Sequence, residues 1–282
     1  MFNVTKKKSF LLVLILLIFL FFCNNSNFIY AEEKDSSFEY RLNNEFLLGF
    51  KNDYIDVFKS PKLWNNNDIL CLSAICGGGI LISLADENIC EWFEDNKTPE
   101  SQDVSRIISC LGNGVFLSTL IASLYATGEI FDQRRLRKTA LLSLESWLTS
   151  ATIVLASKFI VGRARPSKGE GRLSFHPFSL KSGFYSFPSG HTASAFAVAS
   201  VVAAESDKLL VDIFVYSMAS MVALSRVHNS KHWASDVFIG SALGYFVGKK
   251  IYNLHSSENS DSLRIGFQFS SSKQAFSICY SF

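Results

Sequence analysis

The chain has 282 residues, of which 48% are hydrophobic and 18% charged, with a net charge of +2 at pH 7 and a mean hydropathy of +0.20. A charge balance this close to neutral, without a block of basic residues, gives no indication of nucleic-acid binding. The hydropathy is high for a water-soluble protein and low for one that lies mostly inside a membrane. Length and composition therefore allow one domain with a sizeable core and leave its relation to the membrane open.

The first 31 residues have the composition of a targeting segment. Three lysines at positions 6–8 precede an apolar run over 9–22, and a polar stretch then ends at the small residue Ala31. This order is typical of a secretory signal. Ile29 is bulky at a position where cleavage prefers a small side chain, so the segment is predicted either to be removed or to remain as an anchor.

The rest of the chain is predicted to be all-α, with one exception at its end. Residues 32–68 are polar and interrupted by Pro61, which indicates an irregular lead-in arm. Apolar runs over 69–255 predict a bundle of about six core helices. The tail over 256–282 alternates apolar and polar residues on both sides of a turn, which predicts a short β-hairpin.

One stretch, Ser225 to Asp236, carries the clearest chemical pattern. If the run that follows is helical, His232 and Asp236 stand at i and i+4 on one helix face, where the carboxylate can hold the imidazole. Such a pairing fixes which ring nitrogen carries the proton and leaves the other free as a nucleophile. Arg226, on the predicted entering loop, could reach the oxygens of a phosphate. The alternative is a helix N-terminal histidine with an incidental aspartate.

Two further segments carry matching features. Lys158 and Arg165 place positive charge at the end of a long apolar helix. Ser189 is a predicted N-cap for the next apolar run, and Gly190 would let an anion approach the N–H groups of its first turn. His191 lies beside them. If these helices pack together, their charges converge on something small and strongly anionic, such as a phosphate group.

The three segments together resemble the signature of the type-2 phosphatidic acid phosphatase and vanadium haloperoxidase superfamily. The matching order is Lys158, six residues, Arg165-Pro166; then Pro188-Ser189-Gly190-His191; then Ser225-Arg226, five residues, His232, three residues, Asp236. A helical pattern similar to that of the family covers roughly residues 60 to 250, but only the motifs are sharp.

The resemblance implies a role for each of these residues. His232 would be the nucleophile that forms a phosphohistidine, Asp236 would orient it, and His191 would protonate the leaving oxygen. The residues that would bind the phosphoryl oxygens are Lys158, Arg165, Ser189, Gly190 and Arg226. No metal ion or other cofactor is implied for hydrolysis.

The implied function is a metal-independent phosphatase acting on phosphomonoester or diphosphate groups. A phosphorylated lipid is the predicted substrate, because the runs TASAFAVASVVAA and ASDVFIGSALGYFVG carry small and apolar residues that would leave an apolar approach for acyl chains. If those faces are core instead, a general periplasmic acid phosphatase for soluble phosphoesters is the alternative. A vanadate-dependent haloperoxidase and a non-catalytic phosphate or lipid-headgroup binding protein are the remaining candidates.

The relation to the membrane is predicted from charge. Several apolar runs approach the length of a membrane span. If every one of them spans after an N-terminal signal, the acidic residues 86–100 fall inside the cell and the basic residues 134–138 outside, against the positive-inside preference. An exported bundle in the periplasm or on the membrane surface is therefore predicted, with an integral inner-membrane protein as the alternative. The oligomeric state stays open.

Several other polar residues receive secondary interpretations. The loop over 162–187 is predicted to cover the pocket, and His176 within it to be a surface residue. Glu145 is interpreted either as a polar contact inside the bundle or as a neighbour of the site. His255 is placed beyond the bundle. The cysteines form no metal-ligand pattern and are predicted to be small core residues.

Overall fold

The computed structural model describes residues 39–256 with their side chains, together with the backbone of residues 265–270 and 273–278. The targeting segment over 1–31 lies outside these residues and stays a prediction. The described part is mostly helical, which confirms the all-α class there. Its helices are α1 (Asn44–Lys59), α2 (Asn66–Leu84), α3 (Asp86–Asp95), α4 (Pro99–Cys110), α5 (Gly114–Ile130), α6 (Arg134–Val161), α7 (Gly190–Ser206), α8 (Leu209–His228) and α9 (Ala234–Leu254).

Helix α7 lies at the centre of the bundle. It contacts α6, α8 and α9, and most of its residues are buried. A helix with small and apolar side chains on every face is suited to such a position, because it has no polar face to expose to solvent. The N-terminus of α7, where Ser189 and Gly190 lie, is therefore held between the ends of three neighbouring helices.

Helix α9 packs closely on α7 through small residues. A Cβ atom on Gly244 would lie 2.2 Å from the carbonyl oxygen of Ala193, and one on Gly240 would lie 2.8 Å from that of Ser189. Glycines four residues apart on one helix face allow this approach of two backbones. The expected apolar approach for acyl chains along these two faces is therefore wrong, because the small residues are buried in packing between the helices.

Replacing Gly244 with alanine is expected to destabilise the protein by about 1–3 kcal/mol, because the added methyl group overpacks a contact made by backbone atoms. The matched control is Gly49→Ala in α1, where a Cβ atom meets nothing within 4 Å. That change should stabilise the helix by about 0.5–1 kcal/mol, through helix propensity alone. Thermal unfolding of both variants in detergent checks the contrast, and equal melting temperatures would contradict the close packing of α7 and α9.

Some segments differ from their predicted local structure. The lead-in arm contains α1, which begins after Asn43, whose side chain accepts a hydrogen bond of 2.8 Å from the backbone N–H of Phe46. Within the predicted bundle, the stretch over 104–127 is divided between α4 and α5 by a break at 111–113. The basic residues at 134–138 belong to the first turns of α6, and Lys138 is buried there. Capping by a single asparagine is a weak signal in a polar segment, which is why α1 was missed.

The outer surfaces of the bundle are apolar. Three helices, α2, α6 and α8, are long and apolar enough to cross a membrane, and α4 with α5 forms a further candidate as a pair bent by 49°. Only 6% of the most apolar window of α2 is buried against the rest of the protein. These surfaces support a membrane protein, the alternative in the sequence analysis. The charge argument misled because it counted every helix as a separate span.

The remaining expectations concern the tail and the cysteines. In the tail, strands β1 (Ile265–Ser270) and β2 (Lys273–Ile278) run antiparallel, and the hairpin as a folded unit stays a prediction. Four cysteines lie in the described residues, and all four are free. Cys76 and Cys110 are exposed, so their assignment to the core is wrong.

Candidate active site

His232 lies just before α9 and not inside it. The helix begins at Ala234 with Trp233 at its N-cap, and the Asp236 carboxylate accepts the Trp233 backbone N–H at 3.0 Å. Because the chain leaves helical geometry at the N-cap, His232 and Asp236 do not form an i, i+4 pair on a helix face. The predicted direct pairing is therefore wrong, and Asp236 serves first as a cap for its own helix.

The imidazole of His232 is held by a backbone carbonyl instead. Its Nδ1 lies 2.6 Å from the carbonyl oxygen of Ser186, and the residue is 2% exposed. A carbonyl oxygen only accepts hydrogen bonds, so Nδ1 carries the hydrogen. In the neutral ring the lone pair then resides on Nε2, which is the form that a nucleophile requires.

Asp236 acts on His232 through Ser186. The Ser186 hydroxyl donates to one carboxylate oxygen of Asp236 at 2.5 Å, while the carbonyl of the same serine contacts His232. Arg163 donates to the other carboxylate oxygen at 2.6 Å. Asp236 is thus linked to the imidazole of His232 through the hydroxyl and the carbonyl of Ser186.

Arg163 belongs to a buried ion-pair network that sequence reasoning missed. Its guanidinium bridges Asp236 and Asp86, with a distance of 2.8 Å to the latter, and also donates to the Ser235 hydroxyl at 2.8 Å. Asp86 in turn accepts the backbone N–H of Ser235 at 2.9 Å. Arginine suits this position because its planar fork can serve two carboxylates at once. The only signal in the sequence was a second arginine in the GRARP segment.

Three cations lie near His232 and lack acidic partners. Lys158 lies in the last turn of α6, and its ammonium group donates to the carbonyl oxygen of Tyr185 at 2.6 Å. Arg226 belongs to the last turn of α8, not to a loop as predicted, and donates to the Ser109 hydroxyl. Among the described residues, neither of them nor Arg165 forms an ion pair, and the buried Nε groups of Arg165 and Arg226 have no acceptor. A buried lysine and two partly buried arginines without ion-pair partners indicate an anion site.

Burial and the three cations lower the pKa of both histidines. Burial lowers the pKa of His232 well below 6.5, and Lys158, Arg226 and Arg165 lower it further. Burial and the same three cations lower the pKa of His191 to about 4. In the free protein both imidazoles are therefore neutral at pH 7.

The N-terminus of α7 completes the arrangement. Ser189 occupies the N-cap position, but its buried hydroxyl pairs with that of Thr192 at 2.9 Å and does not cap a backbone N–H. A Cβ atom on Gly190 would lie 3.8 Å from the Lys158 side chain. Gly112, in the break between α4 and α5, packs against His191, since a Cβ atom there would lie 2.7 Å from the His191 carbonyl oxygen. The positive end of α7 therefore lies beside Lys158 in the last turn of α6.

Other candidate residues lie elsewhere. Glu145 is fully buried inside the bundle and contacts His255, so its second interpretation, as a neighbour of the site, is wrong. His255 is also not beyond the bundle, because it packs against α1 and α6. His176 is a partly exposed loop residue beside Glu170 at 3.1 Å. His228 contacts the Ser101 hydroxyl at 3.0 Å.

Comparisons with known proteins agree with this geometry. The sequence profile of the PAP2 superfamily matches residues 139–260. A Lipid A 1-phosphatase of Porphyromonas gingivalis is 37% identical over 102 residues, which cover 36% of this chain and 20% of that protein. A probable diacylglycerol pyrophosphate phosphatase 1 of Schizosaccharomyces pombe is 31% identical, over 26% of this chain and 31% of that protein. The chain thus spans less than a third of either relative.

Solved structures show the same fold. Aquifex aeolicus LpxE aligns with a TM-score of 0.50 at 20% identity, over 60% of this chain and 94% of that one. A transmembrane PAP2-type phosphatidylglycerolphosphate phosphatase of Bacillus subtilis aligns with a TM-score of 0.50 at 24% identity, over 75% of this chain and 94% of that one. The part of the chain that holds the three motifs is thus the part that the PAP2 superfamily profile matches.

Proposed function

We propose that the protein is a metal-independent phosphatase that hydrolyses phosphomonoester or diphosphate groups of a phosphorylated lipid. The observation that carries the proposal is the group of three cations near His232, the buried Lys158 and the partly buried Arg165 and Arg226, none of which forms an ion pair with another described residue. A phosphoryl group supplies the missing negative charge. Its three oxygens can accept from Lys158, Arg165 and Arg226, while the N-terminus of α7 at Ser189 and Gly190 adds a favourable dipole.

The chemistry follows from the state of the two histidines. Nε2 of His232 attacks phosphorus, the bond from phosphorus to the leaving oxygen breaks, and a phosphohistidine forms. The hydrogen stays on Nδ1 and is donated to the Ser186 carbonyl oxygen, which stabilises the positive ring that develops. His191 becomes protonated when the bound phosphate raises its pKa, and it then gives this proton to the leaving oxygen. It then takes a proton from the water that attacks phosphorus, which releases phosphate and restores His232.

The surface beside the site supports a lipid substrate. Phe159 and Ile160 follow Lys158 on α6 and are exposed, as are Phe178 and Leu180 in the covering loop. The loop is joined to the helix there, because the Phe178 backbone N–H donates to the Phe159 carbonyl at 2.7 Å and the two rings lie 5.4 Å apart. Acyl chains can lie along this apolar surface with the phosphate in the cation cluster.

The proposed site faces the outer side of the membrane, which the signal-like segment over 1–31 supports. The basic residues 134–138 begin α6, and Lys158 lies in its last turn. If α6 spans the membrane, these two ends lie on opposite sides of it. Alkylation of single cysteines introduced at Arg134 and Lys181 in intact cells tests this, and labelling of position 134 alone would contradict it.

The substrate proposal is tested by phosphate release in detergent, with chelator present, across matched substrates. The panel contains a Lipid A phosphate, phosphatidate, a diacylglycerol diphosphate and a soluble phosphoester. A kcat/KM at least about tenfold higher for a lipid is expected, a gap of about 1.4 kcal/mol in transition-state binding. Equal values would favour a general acid phosphatase. Halide oxidation with vanadate and peroxide would favour a haloperoxidase, and binding without turnover would favour a headgroup-binding protein.

The rate is expected to decline toward alkaline pH. The general acid must be protonated, and kcat/KM reports the free enzyme, in which the pKa of His191 is about 4. The protonated fraction therefore falls as pH rises above about 4, and kcat/KM should be highest in acid. A bound phosphate raises the pKa of His191, so the alkaline decline of kcat should occur at higher pH than that of kcat/KM.

Paired pH profiles of kcat and kcat/KM check this expectation. The control is His191→Ala with an aryl phosphate, whose leaving group needs no proton. With this substrate, the kcat/KM of His191→Ala should decline toward alkaline pH only as far as ionisation of the substrate itself requires. A kcat/KM that rises from pH 5 to pH 8 in the wild type would contradict the assignment.

A further inference from the structure

A second cluster of titratable side chains lies far from the proposed phosphate site. It consists of Asp53 on α1, Glu145 on α6 and His255 at the end of α9, and their ligand-type atoms all lie within 4.8 Å of one another. Glu145 lies about three and a half turns before Lys158 on α6, which is about 20 Å along the helix axis. None of the proposed catalytic steps uses these three residues.

The buried carboxylate of Glu145 is not satisfied by the protein. Its side chain has no exposed surface, and neither oxygen has a hydrogen-bond partner among the residues that the structure describes. His255 Nε2 lies 2.8 Å from Asp53 but 3.6 Å from Glu145, which is too long for a hydrogen bond. A protonated imidazole would therefore serve Asp53 and leave Glu145 without a donor. Such a group is costly unless a cation reaches it.

We propose that Asp53, Glu145 and His255 bind one divalent transition-metal ion, of which Zn²⁺ is the best fit. Imidazole nitrogen and carboxylate oxygen are ordinary Zn²⁺ ligands at about 2.0–2.2 Å, so neighbouring ligand atoms in a tetrahedral site lie about 3.3–3.6 Å apart. The separation of 3.6 Å between His255 and Glu145 has this value, and the Asp53 pair needs a small opening. Two carboxylates also balance the double charge of the ion.

The position of the site indicates a structural role. Helix α1 contributes the buried Phe46 and Val57 to an apolar cluster that includes Ile251 of α9. Asp53 adds a polar contact from the same helix to His255. A metal ion bound to Asp53, Glu145 and His255 would join α1 to α6 and to the end of α9. Loss of the ion is then expected to lower the melting temperature and to leave the phosphoryl chemistry, about 20 Å away, unchanged.

The test is calorimetric titration of the chelator-treated full chain in detergent with Zn²⁺. One equivalent should bind with a rise in melting temperature, and His255→Gln and Asp53→Asn should each weaken binding at least tenfold. The control is His176→Gln, which removes an exposed histidine beside Glu170 and should change nothing. Asp53 lies at the edge of the cluster, so its variant should fold even if a change at buried Glu145 does not.

Co²⁺ gives a second readout that a change in folding alone would not produce. Co²⁺ bound by Asp53, Glu145 and His255 should show the visible absorption of a site with nitrogen and oxygen ligands, and His255→Gln should lose it. Absence of stoichiometric binding, or equal binding by His255→Gln and the wild type, would overturn the proposal and leave a histidine salt bridge.

Discussion

Replacing His232 with glutamine is expected to lower kcat for phosphate release by about 10⁴-fold or more, because no other described side chain can take over the covalent step. Glutamine keeps a polar group in the pocket, so Lys158 and Arg226 retain their surroundings. The matched control is His228→Gln, four residues upstream, whose imidazole contacts only the Ser101 hydroxyl among the described polar groups. Its kcat should stay within a few-fold of the wild type.

Vanadate inhibition distinguishes loss of chemistry from loss of the pocket. The wild type should bind vanadate tightly, since the oxyanion meets the same cations as the phosphoryl group. A folded His232→Gln variant should keep measurable phosphate binding while it loses turnover. A variant that retains more than a tenth of the wild-type kcat would show that His232 is not the nucleophile.

Replacing Arg163 with glutamine is expected to cost about 3–5 kcal/mol of unfolding free energy. The change leaves the carboxylates of Asp86 and Asp236 buried without their common partner, and an unpaired buried charge is strongly destabilising. Activity should also fall, because Asp236 positions the Ser186 segment that holds His232. Misplacement of a reacting group by about 1 Å can cost about 100-fold in rate.

The control for this prediction is Arg41→Gln, which removes an exposed arginine from weak pairs at 3.6 and 3.8 Å. It should change the unfolding free energy by less than about 0.5 kcal/mol. Arg163→Lys should recover only part of the loss, because an ammonium cannot serve two carboxylates with a planar fork. Equal melting temperatures for Arg163→Gln and Arg41→Gln would show that the network does not stabilise the fold.

The three motifs could be predicted from the sequence because their residue types, spacing and order are local. Lys158 at a helix end and His191 after a helix N-cap follow from propensity and capping alone. The small and apolar composition of α7 fitted both an approach for acyl chains and a core position, and the structure shows the core position. What local patterns cannot supply is the partner of a side chain across the fold.

The contact of His232 shows that limit most clearly. A spacing of four residues suggested Asp236 as its partner, but one extended residue at Trp233 removes the pairing and brings the Ser186 carbonyl to Nδ1. The ion pair of Arg163 with Asp86 joins segments separated by 77 positions, which no spacing rule connects. Membrane contact was underestimated for a similar reason, since the exposed face of α2 is defined only once its neighbours are placed.

The measurement that tests the central claim most directly is capture of the phosphoenzyme. His191→Ala is incubated briefly with an aryl phosphate, which needs no general acid, and quenched in base, where phosphohistidine survives. The account predicts an acid-labile phosphoryl group on the peptide that contains His232, and none in the double variant with His232→Gln. A phosphoryl group on any other residue, or full turnover by the double variant without a phosphoenzyme, would contradict it.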